Sequence, residues 1–272
     1  MASHIPRKRF GQHFLRDADV IADIMRAIRP QPNDNLVEIG PGLGALTTPL
    51  MAHLPHFHVI ELDRDIVTRL QRRHTSQQLS IHAGDALAFD FAQLGSALRV
   101  VGNLPYNIST PLLFHLATFS AQVRDIHVML QKEVVDRMTA EVDGDAYGRL
   151  SVMLQYRFDM ESLFDVPPDA FDPPPKVNSA VVRMVPRIVD QPRTADQPRT
   201  ADQPGVLQTA NFERVVAAAF AQRRKTLRNS LAAVLNDNDF VVLDIDPRRR
   251  AETLSLADYI RIANYATLKE FP

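Results

Sequence analysis

Two short runs carry the densest chemistry in this sequence. The first is Glu38-Ile39-Gly40-Pro41-Gly42-Leu43-Gly44. Glycines at such a turn let a ligand approach the backbone, and the helix that follows presents free amide N–H groups to it. The second run is Asn103-Leu104-Pro105-Tyr106. An amine on a purine ring is a poor nucleophile because its lone pair is delocalised into the ring. The Asn103 amide oxygen and the Leu104 carbonyl can each accept one N–H of such an amine and draw the nitrogen toward sp³ geometry. Pro105 removes a competing N–H and stiffens the turn. Tyr106 offers a face on which an extruded base can stack. No strong general base is required, because the alkylated ammonium is itself acidic.

The glycine run differs from the dinucleotide fingerprint Gly-x-Gly-x-x-Gly. It reads Gly-x-Gly-x-Gly with a preceding acid, a variant suited to S-adenosylmethionine, which has no pyrophosphate to cradle. Glu61 stands at the end of the next apolar run, where a carboxylate can accept both hydroxyls of a ribose. Asp85, in Gly84-Asp85-Ala86, is placed to accept from an adenine amine.

These residues need a scaffold that brings strand ends together, and the sequence supplies the pattern. Short apolar runs at Leu36–Ile39, Phe57–Glu61, Leu79–His82, Arg99–Gly102 and Ile126–Leu130 read as strands. Helical stretches lie between them, at Leu46–Leu54, Asp65–Arg73 and Pro111–Phe119. An earlier helix, capped by Asp17 or Asp19, stops at Pro30. Such alternation predicts a doubly wound, mostly parallel α/β sheet. Ser151–Phe158 and Ala180–Val185 read as two further strands around a Pro-rich loop, completing a seven-stranded sheet. A DQPRTA hexamer then repeats across 190–204; its polar, Pro-containing composition fits a linker. Beyond it, Phe212, Val216, Ala219, Phe220, Leu227, Leu231 and Val234 mark an apolar helical stripe. Ser255-Leu256-Ala257-Asp258 forms a capping box opening a last helix. The expected organisation is a catalytic domain over 1–188, a linker over 189–205 and a helical domain over 206–272.

With 31 basic and 32 acidic side chains among 272 residues, any affinity for nucleic acid must come from local patches. There is no cysteine, which excludes disulfides, thiolate metal sites and a Cys nucleophile. The longest apolar run, Val215–Ala221, is far too short to span a bilayer. A cytoplasmic protein is expected.

The motifs Gly11-Gln12-His13-Phe14-Leu15, VEIGPGLGALT, VIELDRD, GDAL, NLPYNIST and LQKEVVDRM together resemble the ribosomal RNA adenine N6,N6-dimethyltransferase family. PPPKVNSAVVRMVP and FAQRRKTLRNSL extend the likeness to nearly the whole chain outside the repeat. The resemblance implies a Rossmann-like class I methyltransferase fold with S-adenosylmethionine as cofactor. It implies two adjacent dimethylated adenosines in a hairpin loop near the 3′ end of small-subunit (16S) ribosomal RNA, with a role in small-subunit biogenesis. Carried over by position, the cofactor contacts are His13, Leu15, Gly40, Glu61, Asp85 and Asn103. Asn103, Leu104, Pro105 and Tyr106 serve catalysis, and Phe171 resembles a second aromatic of the base pocket. His13 stands where many members have Asn, and Asn178 where Asp is common.

RNA phosphates are expected on Arg7-Lys8-Arg9, on Arg223, Arg224, Lys225 and Arg228, and on Arg248 and Arg249. The second group is expected in the first helix of the small domain, with Arg224, Lys225 and Arg228 on one face. The partner is the assembling small ribosomal subunit; the protein is expected to be a monomer that uses neither membrane nor metal. His53, His56 and His58 have a metal-like spacing without thiolate or helical support. Two other readings are a large-subunit RNA adenine methyltransferase and a non-catalytic assembly factor. The intact NLPY turn argues against the latter, and the QRRKTLRNSL and PPPKVNSAVVRM segments against the former.

Overall fold

The computed structural model describes residues 12–187, 205–222 and 224–270. Arg7, Lys8, Arg9, Arg223 and the DQPRTA tract lie outside them. Contacts divide the chain into two units, Met1–Val135 with Asp159–Pro186, and Asp136–Phe158 with Arg187–Pro272.

The first unit opens with a two-residue strand β1 (Phe14–Leu15) and helix α1 (Ala18–Ile28). The Asp17 side chain caps α1 by accepting from Asp19 N and Val20 N at 2.9 and 3.0 Å. Alternating elements follow: β2 (Asn35–Ile39), α2 (Thr47–Met51), β3 (Phe57–Glu61), α3 (Arg64–Arg73) and β4 (Leu79–Ala83). Then come β5 (Leu98–Asn103), α4 (Ser109–Ala117), β6 (Val123–Gln131) and α5 (Lys132–Met138). The chain later returns as β7 (Phe158–Val166), β8 (Phe171–Asp172) and β9 (Ser179–Pro186).

Seven strands form one sheet in the order β4-β3-β2-β5-β6-β9-β7. The pairs from β4 through β6 are parallel, and β9 runs antiparallel to β6. Parallel strands buried on both faces read as largely apolar runs, which is why β2, β3, β5 and β6 were visible in the sequence, whereas the edge strand β4 is only partly buried. The order reverses between β2 and β5. Ligands of open α/β sheets bind beyond the carboxyl ends of the strands at such a reversal. At the opposite ends of the strands, buried Arg99 bonds Asp125 at 3.0 Å, Asp34 at 2.6 Å and the Ile28 carbonyl at 2.6 Å. That network ties the end of α1 to β5 and β6, away from the site.

The second unit contains α6 (Arg149–Arg157), α7 (Thr209–Phe220), α8 (Leu227–Ser230), α9 (Asp237–Val242) and α10 (Leu256–Glu270). Its core gathers Val152 and Tyr156 with Phe212, Val216, Leu227, Leu231 and Tyr259. A single cut near residue 188 therefore does not describe the division, because 136–158 packs with the C-terminal helices. The predicted capping box is present: Ser255 Oγ accepts from Asp258 N at 3.1 Å, and Asp258 Oδ2 accepts from Ser255 N at 3.0 Å.

Two expectations are corrected. Residues 151–157 are not a strand but the body of α6, and only Phe158 opens a strand, β7. Burial of Val152, Leu154 and Tyr156 mimics a period of two. However, Val152 and Tyr156 are four apart on one helical face, and Gln155 bonds the carbonyls of Met138 and Ala140. Likewise, Arg224 and Lys225 do not lie on the first helix of the small domain. Helix α7 ends at Phe220, a turn closes with Lys225 N on the Gln222 carbonyl at 3.0 Å, and α8 starts at Leu227. Phe220 and Leu227 are seven apart, so the apolar stripe stays in phase across the break and hides it.

Candidate functional site

Where β2 and β5 end side by side, the backbone opens into a pocket of about 130 Å³. Val37 pairs with Val100 and Glu38 with Val101, so Gly40 and Asn103 emerge as neighbours. Close approach of these strands demands glycine at 102, where a Cβ would lie 2.5 Å from the Ile39 carbonyl oxygen. Gly42 has φ +54°, and a Cβ there would also press on the Phe14 ring at 3.1 Å.

The glycine turn is braced from behind. The buried Glu38 accepts a hydrogen bond from Thr47 Oγ1, at the start of α2, at 2.6 Å. Burial pushes the Glu38 carboxyl up to about 8, against the lowering effect of that hydroxyl. Glu61, at the end of β3, is raised by burial too; the Asp63, Gly42 and Leu62 backbone N–H groups oppose the shift. Its Oε1 accepts from Asp63 N at 2.8 Å. Asp85 follows β4 on the pocket rim, with Oδ1 accepting from Leu87 N at 2.9 Å.

On the β5 side, Asn103 Nδ2 donates to the His13 carbonyl at 2.9 Å. This leaves Asn103 Oδ1 and the neighbouring Leu104 carbonyl as acceptors with no hydrogen-bond partner among the described residues. Leu104 N is held by the Met129 carbonyl at 3.1 Å, which fixes the turn on β6. Pro105 and the half-buried Tyr106 complete this wall. The arrangement presents two oxygens beside an aromatic ring, the geometry needed to accept both N–H groups of a planar amine.

The sequence-derived residues His13, Gly40, Glu61, Asp85, Asn103, Leu104, Pro105 and Tyr106 all line this one pocket. Leu15 and Phe171 do not. They pair with each other between β1 and β8, and both side chains are buried in the apolar core of the first unit. A ring that is 1% exposed is not placed to stack on a base. Phe14, Gln12, Leu62 and Ile108 line the pocket without having been singled out. For Phe14 a signal existed, since it is an aromatic inside a basic, Gly-containing segment. For Ser179, bonded to the Tyr106 hydroxyl from 73 positions away, there was none.

The histidine cluster regroups. His58 faces His82 at 3.2 Å and His56 bonds Ser80 at 2.9 Å, while His53 is not part of it. Among the described residues no group of three or more His, Cys, Asp or Glu is arranged to hold a metal ion. No helix among them is long and apolar enough to cross a membrane.

In the second unit, the two basic runs come together. Leu227 N bonds the Arg249 carbonyl at 2.8 Å, and Arg228 N bonds the Pro247 carbonyl at 3.0 Å. Arg228 pairs with Asp237 and Arg248 with Asp246, while Arg249 bonds Thr253. Arg224 and Lys225 are exposed and have no side-chain partner among the described residues.

A family model described as ribosomal RNA adenine dimethylase matches residues 3–268. The "Ribosomal RNA small subunit methyltransferase A" of Thiobacillus denitrificans is 60% identical over 262 residues, covering 96% of this chain and 98% of that protein. The protein of the same name from Aromatoleum aromaticum is 59% identical over 269 residues, covering 99% and 97%. Among solved structures, a dimethyladenosine transferase from Plasmodium falciparum superposes with a TM-score of 0.74 at 22% identity, covering 92% of this chain and 96% of that one. The 23S rRNA methyltransferase ErmE superposes at 0.68 and 20% identity, covering 93% and 99%. At such identities the two structures speak for the fold: a class I methyltransferase sheet with a helical C-terminal region.

Proposed function

The chain belongs to the ribosomal RNA adenine dimethylase family, and from that premise we propose that it dimethylates N6 of two adjacent adenosines near the 3′ end of small-subunit ribosomal RNA. The observation that carries the reading is the Asn103 amide. Its Nδ2 is committed to the His13 carbonyl, so Oδ1 and the Leu104 carbonyl are left together as acceptors at the pocket wall.

The pocket residues fit S-adenosylmethionine as cofactor. Positive-φ glycines bring the backbone close, Glu61 supplies a carboxylate for a ribose diol, and Asp85 has an oxygen free to accept from an adenine amine. When bound, this group supplies a methyl on a cationic sulfonium. The chain's own residues do the rest. Tyr106 holds the extruded adenine by its face, for which stacking contributes ~1–3 kcal/mol. Asn103 Oδ1 and the Leu104 carbonyl take one N–H each, which localises the nitrogen lone pair. These hydrogen bonds strengthen as the nitrogen pyramidalises, so they favour the transition state over the bound substrate. The proton on the product ammonium is acidic enough to leave to water.

Arg224, Lys225, Arg228, Arg248 and Arg249 supply phosphate contacts on the second unit, with Arg7, Lys8, Arg9 and Arg223 extending the basic set in sequence. The test is incubation with labelled S-adenosylmethionine and either small or large subunits lacking the modification. Label in adenosine of the small-subunit RNA is expected; label in the large subunit only, or in neither, overturns the reading.

A further inference from the structure

His13 is the meeting point of three contacts within the pocket. Its backbone carbonyl accepts from Asn103 Nδ2 at 2.9 Å. Its ring Nδ1–H donates to the Pro173 carbonyl at 2.7 Å. Its imidazole stacks on Tyr106, with centroids 5.6 Å apart and planes 25° from parallel. Tyr106 is held at a second point, because its hydroxyl shares a 2.6 Å hydrogen bond with Ser179 Oγ. Ser179 is fully buried at the start of β9. One face of the tyrosine ring is thus covered and its tip is fixed, so a base can use only the other face.

We propose that His13 is a positioning residue that sets both halves of the base-binding wall. Through its carbonyl it fixes which end of the Asn103 amide faces the pocket. An amide rotor is nearly two-fold, and the flipped form would point an NH₂ at the substrate amine and repel it. Through its ring, anchored on Pro173, it fixes the plane of Tyr106. Ser179 does the same from the rim of the ring. The proposal rests on the methyl-transfer reading above and adds to it how the acceptor and the stacking plate are kept in mutual register.

The experiment is single-turnover methyl transfer to unmethylated small subunits at saturating S-adenosylmethionine, with cofactor and subunit affinities measured in parallel. His13→Ala keeps the backbone carbonyl and removes the ring. Misplacing a stacking plate by a fraction of an ångström lowers the rate by roughly tenfold. Subunit affinity should stay within about threefold, since Arg and Lys contacts to phosphate dominate it; cofactor affinity is measured so that each variant is assayed at its own saturating concentration. In a Tyr106→Ala background the same His13→Ala change should cost less than about twofold, because the plate it orients is gone. His13→Phe, which retains a ring to stack, should recover part of the loss. Ser179→Ala provides an independent route: it should slow transfer several-fold, and no further when combined with Tyr106→Phe. Multiplicative effects of His13→Ala and Tyr106→Ala overturn the proposal, as does a wild-type rate for Ser179→Ala. A His13→Ala defect that disappears once the variant is saturated with cofactor also overturns it. Wild-type protein that transfers no methyl group to small subunits overturns the functional reading and this proposal with it. Normal wild-type transfer with additive variants overturns this proposal alone.

Discussion

The pocket of the sheet and the basic surface of the helical unit place their functional groups in opposite ways. Around the pocket, the polar groups that carry the reading are pinned by short hydrogen bonds. Asn103 is tied to His13, Glu61 to Asp63 and Tyr106 to Ser179, all within 2.6–2.9 Å. On the basic surface the side chains are mostly exposed and long, and several are neutralised locally, as Arg228 is by Asp237 and Arg248 by Asp246. A group that is buried and pinned contributes through geometry; an exposed cation contributes through charge, which salt screens. Damage to the first region should therefore appear in the chemical step, and damage to the second in salt-dependent binding.

The largest expected effect is that of Asn103→Ala. Removing a donor or acceptor that acts in the transition state lowers the rate by ~10²–10³. Single-turnover transfer at saturating cofactor checks it; a rate within a few-fold of wild type would make the NLPY turn scaffolding and erase the contrast with the basic surface. Next comes Glu61→Ala, which removes a charge-assisted hydrogen bond worth ~1.5–3 kcal/mol, or roughly ten- to a hundredfold in cofactor affinity. Calorimetric titration with S-adenosylmethionine reads it, with melting temperature as the control for folding. Smaller is Arg224→Ala with Lys225→Ala. This pair should lower the slope of log K against log salt by about 2 and weaken RNA binding several-fold, with the saturated rate unchanged. A lowered saturated rate would show that these cations act in the chemical step and would break the comparison.

The smallest effect concerns Glu38, whose carboxyl is pushed up to about 8 from an ordinary 4.5 by burial. Folding then favours the protonated form. Its stabilising contribution is complete below the ordinary value and is lost as pH rises toward 8, because the unfolded chain ionises there and the folded chain does not. Glu38→Gln keeps an acceptor for Thr47 and cannot ionise. Melting temperature against pH should therefore fall less steeply between pH 5 and 8 in the variant than in the wild type. Parallel slopes would show that Glu38 is ionised in the folded protein.

What was legible in the sequence followed a physical pattern. Parallel strands buried on both faces leave largely apolar runs, so β2, β3, β5 and β6 were readable within a residue or three of their ends. Site residues that sit just past strand ends inherit that legibility, as Gly40, Glu61, Asp85 and Asn103 do. Helix α6 was misread because it is buried on more than one side, which blurs the 3.6-residue period. The end of α7 was missed because the apolar spacing continues across it. Phe171 and Leu15 entered the site by position along the chain, yet their pairing between β1 and β8 sends both side chains into the core.

By itself, the sequence determined the doubly wound class, the family and the strand-end residues of the pocket, because each is written in local apolar runs and short turns. Only the tertiary structure decided which way those residues act. The carbonyl of His13 orienting Asn103 across 90 positions, Ser179 holding Tyr106 across 73, and the meeting of the 224–228 and 247–250 runs are contacts between distant segments. Such contacts leave no periodicity or spacing in the chain, because they form only when folding brings distant segments side by side.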